Sequence, residues 1–181
     1  MLKYNCSIIA RDKKMPYTLE QADILIDLAQ QTLRLPKHNK FYVISSGKNG
    51  IGEQENSGKT PRGWHQVAQK IGADAERNTV FIGRQPTGEV YDQQLAQQFP
   101  QRDWILSRIL WLDGLEAGFN QGEGCDTFKR YIYIHGTPET EPMGIPMSHG
   151  CIRMKNDEII ELFELISEQA LVYISEQALK D

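Results

Sequence analysis

The sequence predicts a single mainly β domain with flanking α-helices, an α+β fold class. Its 181 residues, 40% of them hydrophobic and 24% charged, suit one globular domain of ordinary size. Short runs rich in β-branched and aromatic residues recur along the chain and end at glycine or polar residues, which is typical of strands. No linker of biased composition separates two halves, so we expect one domain.

For residues 1–40 we expect a strand and a helix that pack on the core. Residues 2–11 have the composition of a short strand. Thr18, with Gln21 three residues on, is a capping-box pattern, and a proline closes the segment that follows. We therefore expect one amphipathic helix over residues 17–35, because the apolar residues there lie close to helical spacing: Leu19, Ala22, Leu25, Ile26, Ala29 and Leu33.

Residues 41–181 predict the body of the domain. The clearest strand is 130–135, which is aromatic and β-branched and is followed by Gly136. Further strands are expected at 41–47, 64–67, 79–83, 107–112 and 171–174. Polar capping residues predict helices at 92–99 and 156–169.

Charge and hydropathy exclude several classes of function. The formal net charge is −4 and no basic stripe is present, so we expect no nucleic-acid partner. No apolar run approaches the length of a membrane span, so we expect no membrane insertion. The apolar stretch near Met1 is too short for a secretory signal, which predicts a cytoplasmic protein, or a periplasmic one if a leader was removed from this chain.

The chain has three cysteines, at Cys6, Cys125 and Cys151. Their odd number and wide spacing form neither a disulfide framework nor a metal knuckle, which favours free thiols in a reducing compartment. Cys125 lies in a loop, where we expect it to be incidental.

Cys151 stands out because it directly follows His149 and Gly150 in the stretch SHGCIRM. A cysteine attacks as a thiolate and needs a base, and His149 or His135 at the end of the clearest strand could supply one. Gly150 allows a sharp turn whose N–H groups could face a developing oxyanion. A buried, unreactive thiol and a zinc site formed by Cys151 and the two histidines remain open alternatives.

The segment 134–154 closely resembles the signature of the YkuD-type L,D-transpeptidase catalytic domain, with IHGT at its start and SHGCIRM at its end. The resemblance extends over residues 41–174 and includes the stretches 43–48, 59–63, 109–112, 118–120 and 130–137. It implies that 41–181 is the catalytic domain, a compact β-sandwich-like fold with a few helices.

The resemblance also implies the chemistry. The cysteine of this family attacks the carbonyl between meso-diaminopimelate and the terminal D-alanine of a peptidoglycan stem tetrapeptide, without a metal or organic cofactor. D-alanine leaves, and the thioester passes to an amine or to water. By this resemblance Cys151 is the nucleophile and His135 the base, the Gly136 carbonyl orients the His135 ring, and His149 and Gly150 border the oxyanion hole.

Two further positions are carried over as substrate-binding residues, Arg153 and Ser148. Arg153 suits a substrate carboxylate, although a structural ion pair is an equal alternative. Ser148 is expected mainly to shape the turn. We expect His65 and the three tryptophans (Trp64, Trp104 and Trp111) to serve packing.

Together, the residues and the resemblance predict a monomeric L,D-carboxypeptidase that removes terminal D-alanine from muropeptide tetrapeptides during murein recycling. Carbapenems are expected to label its cysteine. One alternative is a periplasmic L,D-transpeptidase that forms 3-3 crosslinks or exchanges D-amino acids. A second alternative is a catalytically silent muropeptide-binding domain on the same scaffold.

Overall fold

A computed structural model describes residues 15–179, so Cys6 and the strand expected at 2–11 lie outside the described residues. The described part is mainly β with two α-helices, which confirms the predicted fold class. The strands are β1 Ile24–Asp27, β2 Thr32–Leu35, β3 Lys40–Val43, β4 Gly63–Ile71, β5 Thr79–Ile82, β6 Gln85–Val90, β7 Ile105–Gly114, β8 Tyr133–Thr137, β9 Ile152–Lys155 and β10 Leu171–Ser175. The helices are α1 Gln93–Gln98 and α2 Asn156–Leu165.

The strands form one mixed sheet in the order β3-β2-β1-β10-β4-β7, and β7 is its branching point. One edge of β7 pairs with β4 and, near its start, with β5 of the β5–β6 hairpin, while the other edge pairs with β8. β8 and β9 are parallel neighbours. Two isolated bridges, Ser45 with Arg153 and Gly47 with Ser148, connect β9 back to the segment after β3. The sheet therefore nearly closes into a barrel.

The interior of this near-barrel is aliphatic. Ile134 of β8, together with Ile152 and Met154 of β9, is fully buried in it. The helix α2 packs across β7 and β8 and adds Ile159 and Leu162 to the same cluster. Burying such a side chain stabilises the fold by about 1.5–3 kcal/mol, so this core fixes β8 and β9 against each other.

The prediction of one helix over residues 17–35 is wrong. The capping box does form, with the Thr18 N–H donating to Oε1 of Gln21 at 2.8 Å, but it opens only a single 3-10 turn, Leu19–Gln21. Local capping satisfies only that first turn, and it did not carry the helix further.

The rest of this segment forms β1 and β2 because its burial alternates. Ala22, Ile24, Ile26 and Leu28 are buried, whereas Ala29 of the helical set is exposed. A period of two places one face of each strand in the core. β1 pairs in parallel with β10 and antiparallel with β2. These pairings favour the strand pattern over the helical pattern that the sequence also fits.

Other boundaries shifted without changing the fold class. The strand expected at 130–135 begins at Tyr133, because the Arg130 N–H donates to the Asp126 carbonyl and Tyr131 has φ +56°, which makes this stretch a turn. The helix expected at 156–169 ends at Leu165. Across residues 15–179, neither α-helix combines the length and apolar character needed to cross a membrane.

Candidate active site

Two adjacent parallel strands place the predicted catalytic residues on one face of the sheet. The register pairs Ile134 with Ile152 and His135 with Arg153. Ile134 and Ile152 point into the core, so His135 and Arg153 lie on the opposite face. Cys151 packs against the aromatic cluster of that same face. The fold thus brings His135 and Cys151, separated along the chain, to one site.

The thiol of Cys151 is half-buried and held by the chain entering β8. It donates to the carbonyl of Tyr131 at 3.3 Å and accepts from the Tyr133 N–H at 3.4 Å. Burial raises the pKa of Cys151 to about 12, although the Tyr133 N–H and nearby arginines favour the thiolate. The thiol is therefore protonated at neutral pH and needs a base to become a nucleophile.

His135 has the tautomer and charge of such a base. It is buried, and its Nδ1 lies 2.8 Å from the carbonyl oxygen of Gly136. A carbonyl only accepts, so Nδ1 carries the proton and Nε2 has the free lone pair. Burial lowers the pKa of His135, which keeps the ring neutral near pH 7.

Gly136 is required by packing as well as by its carbonyl. A Cβ at this position would lie 2.5 Å from the carbonyl oxygen of Leu106 and 2.6 Å from Oδ1 of Asn156. Both neighbours are fixed, since Leu106 belongs to β7 and Asn156 is buried at the start of α2. A larger residue would displace β8, and with it the His135 ring.

Ser148 organises the tight turn 148–151, which we call the nucleophile turn after the predicted role of Cys151. Its Oγ donates to the Cys151 carbonyl at 2.5 Å and accepts the Gly150 N–H at 3.1 Å. Its hydroxyl is thus used inside the turn. The Gly150 N–H, which we expected beside the oxyanion hole, thus already has an acceptor in this structure.

Thr60 connects this turn to the rest of the barrel. Its Oγ1 donates to the Gly150 carbonyl at 2.9 Å and accepts the Gly47 N–H at 2.8 Å. The side chain is fully buried. The stretch 59–63, one of the stretches in which the family resemblance was found, therefore holds the nucleophile turn in place.

Arg153 is already paired with two carboxylates. Its Nη2 donates to Oδ1 of Asp103 at 2.7 Å and its Nη1 to Oε2 of Glu141 at 2.9 Å, with the side chain only 8% exposed. His149 is largely exposed, and its Nδ1 lies 2.8 Å from the other oxygen of Asp103. Asp103 thus joins the two residues, and this arrangement resembles the structural ion pair that the sequence left as an alternative.

The charge of Asp103 depends on these partners. Burial opposes its ionisation, but the hydrogen bond with His149 and the positive charge of Arg153 outweigh that effect and lower the pKa of Asp103. Sequence reasoning missed both Asp103 and Glu141, because neither lies in a recognisable motif and both meet Arg153 only through the fold.

An aromatic cluster borders the thiol on the other side. Trp111 stacks on Phe128 with ring centroids 3.8 Å apart and lies edge-on to Tyr133 at 5.8 Å. The guanidinium of Arg84 lies 4.6 Å from the centroid of Trp111 and 4.9 Å from that of Tyr131. Trp111 is buried, as expected, but it is buried beside the site.

Two cavities open on either side of His149. One, of about 130 Å³, is lined by Asp103, Arg153 and Thr137 among others. The other, of about 320 Å³, is lined by Lys129, Arg130, Tyr131 and Glu55 among others. The nucleophile turn therefore lies between two spaces that could each take part of a substrate.

The other singled-out residues lie elsewhere. Cys125 is buried in its loop, and His65 is buried with its ring between the Gly63 carbonyl and Thr127 Oγ1, a packing role. Among residues 15–179, His, Cys, Asp and Glu side chains form no group of three or more placed to hold a metal ion, so the histidines and Cys151 are not arranged as zinc ligands.

Comparison with known proteins places this arrangement in context. The family model described as the L,D-transpeptidase catalytic domain, YkuD, matches residues 21–174. YqjB of Bacillus subtilis (strain 168), which carries a provisional L,D-transpeptidase name, is 46% identical over 47 residues, which cover 26% of this chain and 27% of that protein.

Solved structures show the same fold at low sequence identity. The avibactam carbamoyl enzyme of Ldtfm is 19% identical, with 88% of this chain and 51% of that chain covered and a TM-score of 0.50. L,D-transpeptidase 3 from Mycobacterium tuberculosis, solved with a faropenem-derived adduct, is 17% identical, with coverage of 84% and 59% and a TM-score of 0.50. This chain thus spans little more than half of each of these solved chains.

Proposed function

The chain belongs to the family of L,D-transpeptidase catalytic domains, and from this premise we propose that it is a cysteine-dependent acyl-transfer enzyme of peptidoglycan. One observation carries the proposal. The thiol of Cys151 and the ring of His135 lie on one face of adjacent parallel strands, and the Nδ1 proton of His135 is committed to the Gly136 carbonyl.

The proposed reaction begins with proton transfer. Nε2 of His135 takes the thiol proton of Cys151 as the sulfur attacks the carbonyl between meso-diaminopimelate and D-alanine. N–H groups of the nucleophile turn stabilise the oxyanion. The C–N bond then breaks, the amine of D-alanine takes the proton back from His135, and a thioester remains on Cys151.

The finer proposal is that water resolves this thioester, which makes the protein an L,D-carboxypeptidase. The larger cavity beside His149 is lined by two cationic side chains, Lys129 and Arg130, and by one carboxylate, Glu55. An acceptor that arrives as an ammonium meets more positive than negative charge there. A neutral water is not affected by this balance, which supports hydrolysis. The setting we propose is the trimming of tetrapeptides during murein recycling in the cytoplasm.

A second candidate function is L,D-transpeptidation in the periplasm. The presence of cavities on both sides of His149 favours it, because one could hold the acyl donor while the other admits an acceptor amine. In that case the thioester would pass to a second stem peptide or to a D-amino acid.

Mass spectrometry of the products tests the proposal. Purified protein is incubated with disaccharide-tetrapeptide, with and without an added D-amino acid, beside a Cys151→Ala control. Hydrolysis predicts the tripeptide as main product in both cases. Exchange of D-alanine for the added amino acid, or dimer formation, would select the transpeptidase. Unchanged tetrapeptide with the wild-type protein would refute both and favour a silent binding domain.

A further inference from the structure

Arg84 occupies an unusual place for an arginine. It lies at the tip of the β5–β6 hairpin, where Ile82 pairs with Gln85, so Gly83 and Arg84 form a two-residue loop. Both have positive φ, +54° and +68°. Turns of this kind favour glycine, asparagine or aspartate at both positions, because a Cβ there is strained. Such strain in a non-glycine residue is a reason to look for a function.

The side chain of Arg84 reaches from this turn to the nucleophile. Its guanidinium lies over the rings of Trp111 and Tyr131, and its Nη1 donates to the Tyr133 hydroxyl at 3.2 Å. Tyr131 and Tyr133 are the two residues whose backbone groups hold the thiol of Cys151. The guanidinium therefore contacts the side chains of the two residues whose backbone holds the thiol.

The charge of Arg84 has no carboxylate partner within residues 15–179. Arg153, on the other side of the nucleophile, has two, at 2.7 and 2.9 Å. A substrate carboxylate at Arg153 would have to displace Asp103 or Glu141, two half-exposed carboxylates that already neutralise this nearly buried guanidinium. At Arg84 a substrate carboxylate would displace no protein carboxylate. It could accept hydrogen bonds from the guanidinium N–H groups that are not used in the one hydrogen bond to Tyr133.

We propose that Arg84 binds a free carboxylate of the acyl donor and so makes the enzyme selective for carboxylate-bearing substrates. This inference rests on the proposed function. In a stem tetrapeptide the carboxylate has two sources, the leaving D-alanine and the side chain of meso-diaminopimelate. Both belong to the two residues that the scissile bond joins, which matches the contact of Arg84 with the residues that hold the thiol.

A penem provides a probe that does not depend on the peptide substrate. The rate at which Cys151 is acylated is measured by intact mass for a penem free acid and for its neutral methyl ester. The variants are Arg84→Asn, whose side chain suits the turn, and Arg84→Lys, with Arg77→Met as a matched control. Arg77 forms exposed ion pairs with Glu139 and Asp157 and does not contact the aromatic cluster.

The wild type and Arg77→Met should prefer the acid by about tenfold or more, since a charge-assisted hydrogen bond is lost with the ester. The preference should disappear in Arg84→Asn and be partly kept in Arg84→Lys. An unchanged ratio in Arg84→Asn, with Cys151 still acylated, would overturn this inference alone. No adduct on wild-type Cys151 with either compound would overturn the proposed function and this inference together.

Two amidated peptides identify the source of the carboxylate. One tetrapeptide is amidated at its terminal D-alanine and the other at the side-chain carboxylate of diaminopimelate. The peptide whose amidation lowers kcat/KM in the wild type but not in Arg84→Asn carries the group that Arg84 binds. If neither amidation affects the wild type more than the variant, Arg84 does not bind a substrate carboxylate.

Discussion

His135 of β8 lies directly opposite Arg153 of β9 in a parallel register, on the face that also holds Cys151. This pairing places the proposed base, the proposed nucleophile and a doubly paired arginine within one short stretch of sheet. Burial on this face raises the pKa of the thiol and lowers that of the imidazole. The thiol and the imidazole are therefore both neutral near pH 7, and in the proposed mechanism the proton moves only when the substrate is attacked.

This neutral pair predicts the pH dependence. Burial lowers the pKa of His135 below its ordinary 6.5, so the proposed base is already neutral at pH 7. Acylation should therefore fall only when the pH drops below 6.5, toward the lowered pKa of His135. Because burial raises the pKa of Cys151 to about 12, alkylation of Cys151 by iodoacetamide should keep rising through pH 9. A plateau of alkylation near neutral pH would indicate a preformed thiolate–imidazolium pair instead.

Replacement of His135 should separate catalysis from thiol reactivity. His135→Gln should lower kcat/KM by about 10²–10⁴-fold, the usual contribution of a general base. The thiol should still be alkylated at high pH, since its backbone partners at Tyr131 and Tyr133 remain. Turnover close to wild type in this variant would mean that His149 or another group acts as the base.

Thr60 should stabilise the nucleophile turn through both of its hydrogen bonds. Thr60→Val removes the bonds to the Gly47 N–H and the Gly150 carbonyl, and should lower the free energy of unfolding by about 1–3 kcal/mol. Thr60→Ser keeps the hydroxyl and is the matched control. The measurement is urea unfolding together with penem acylation. A loss in Thr60→Ser larger than that in Thr60→Val would show that the methyl group matters more than the hydroxyl and would contradict this role of the two hydrogen bonds.

Gly150 should be intolerant of a side chain. Its φ is +121°, and a Cβ would lie 3.1 Å from the Lys59 carbonyl oxygen, so Gly150→Ala should cost about 1–3 kcal/mol and shift the N–H groups before Cys151. Gly88→Ala, also at positive φ but with open space around it, is the control for backbone strain alone. Similar activity in both variants would contradict a tight fit of the turn.

Asp103 should make stability depend on pH. Its pKa is lowered in the folded state, so its contribution is present above the ordinary value of 3.8 and is lost as the pH falls through the folded value. Asp103→Asn should therefore have a lower Tm than the wild type at pH 7, and the gap should narrow toward pH 3. A gap that does not change with pH would assign the effect to packing.

The sequence indicates the candidate residues of the site more directly than the residues that surround them. Cys151, His135 and Gly136 lie in local motifs, so they could be proposed as site residues before the fold was known. The partners Asp103 and Arg84 could not, because Asp103 meets Arg153 across 50 residues and Arg84 meets Tyr133 across 49. The helix expected at 17–35 failed for a related reason, since pairing with β10 from the far end of the chain overrode the local pattern.

The most direct test of the central claim is the mass of the protein trapped by rapid acid quench during reaction with a stem tetrapeptide. We predict an added mass equal to the tripeptide acyl group, located on Cys151 by peptide mapping and absent from Cys151→Ala. Release of D-alanine by Cys151→Ala, or an acyl group located on Cys125 instead, would contradict the mechanism.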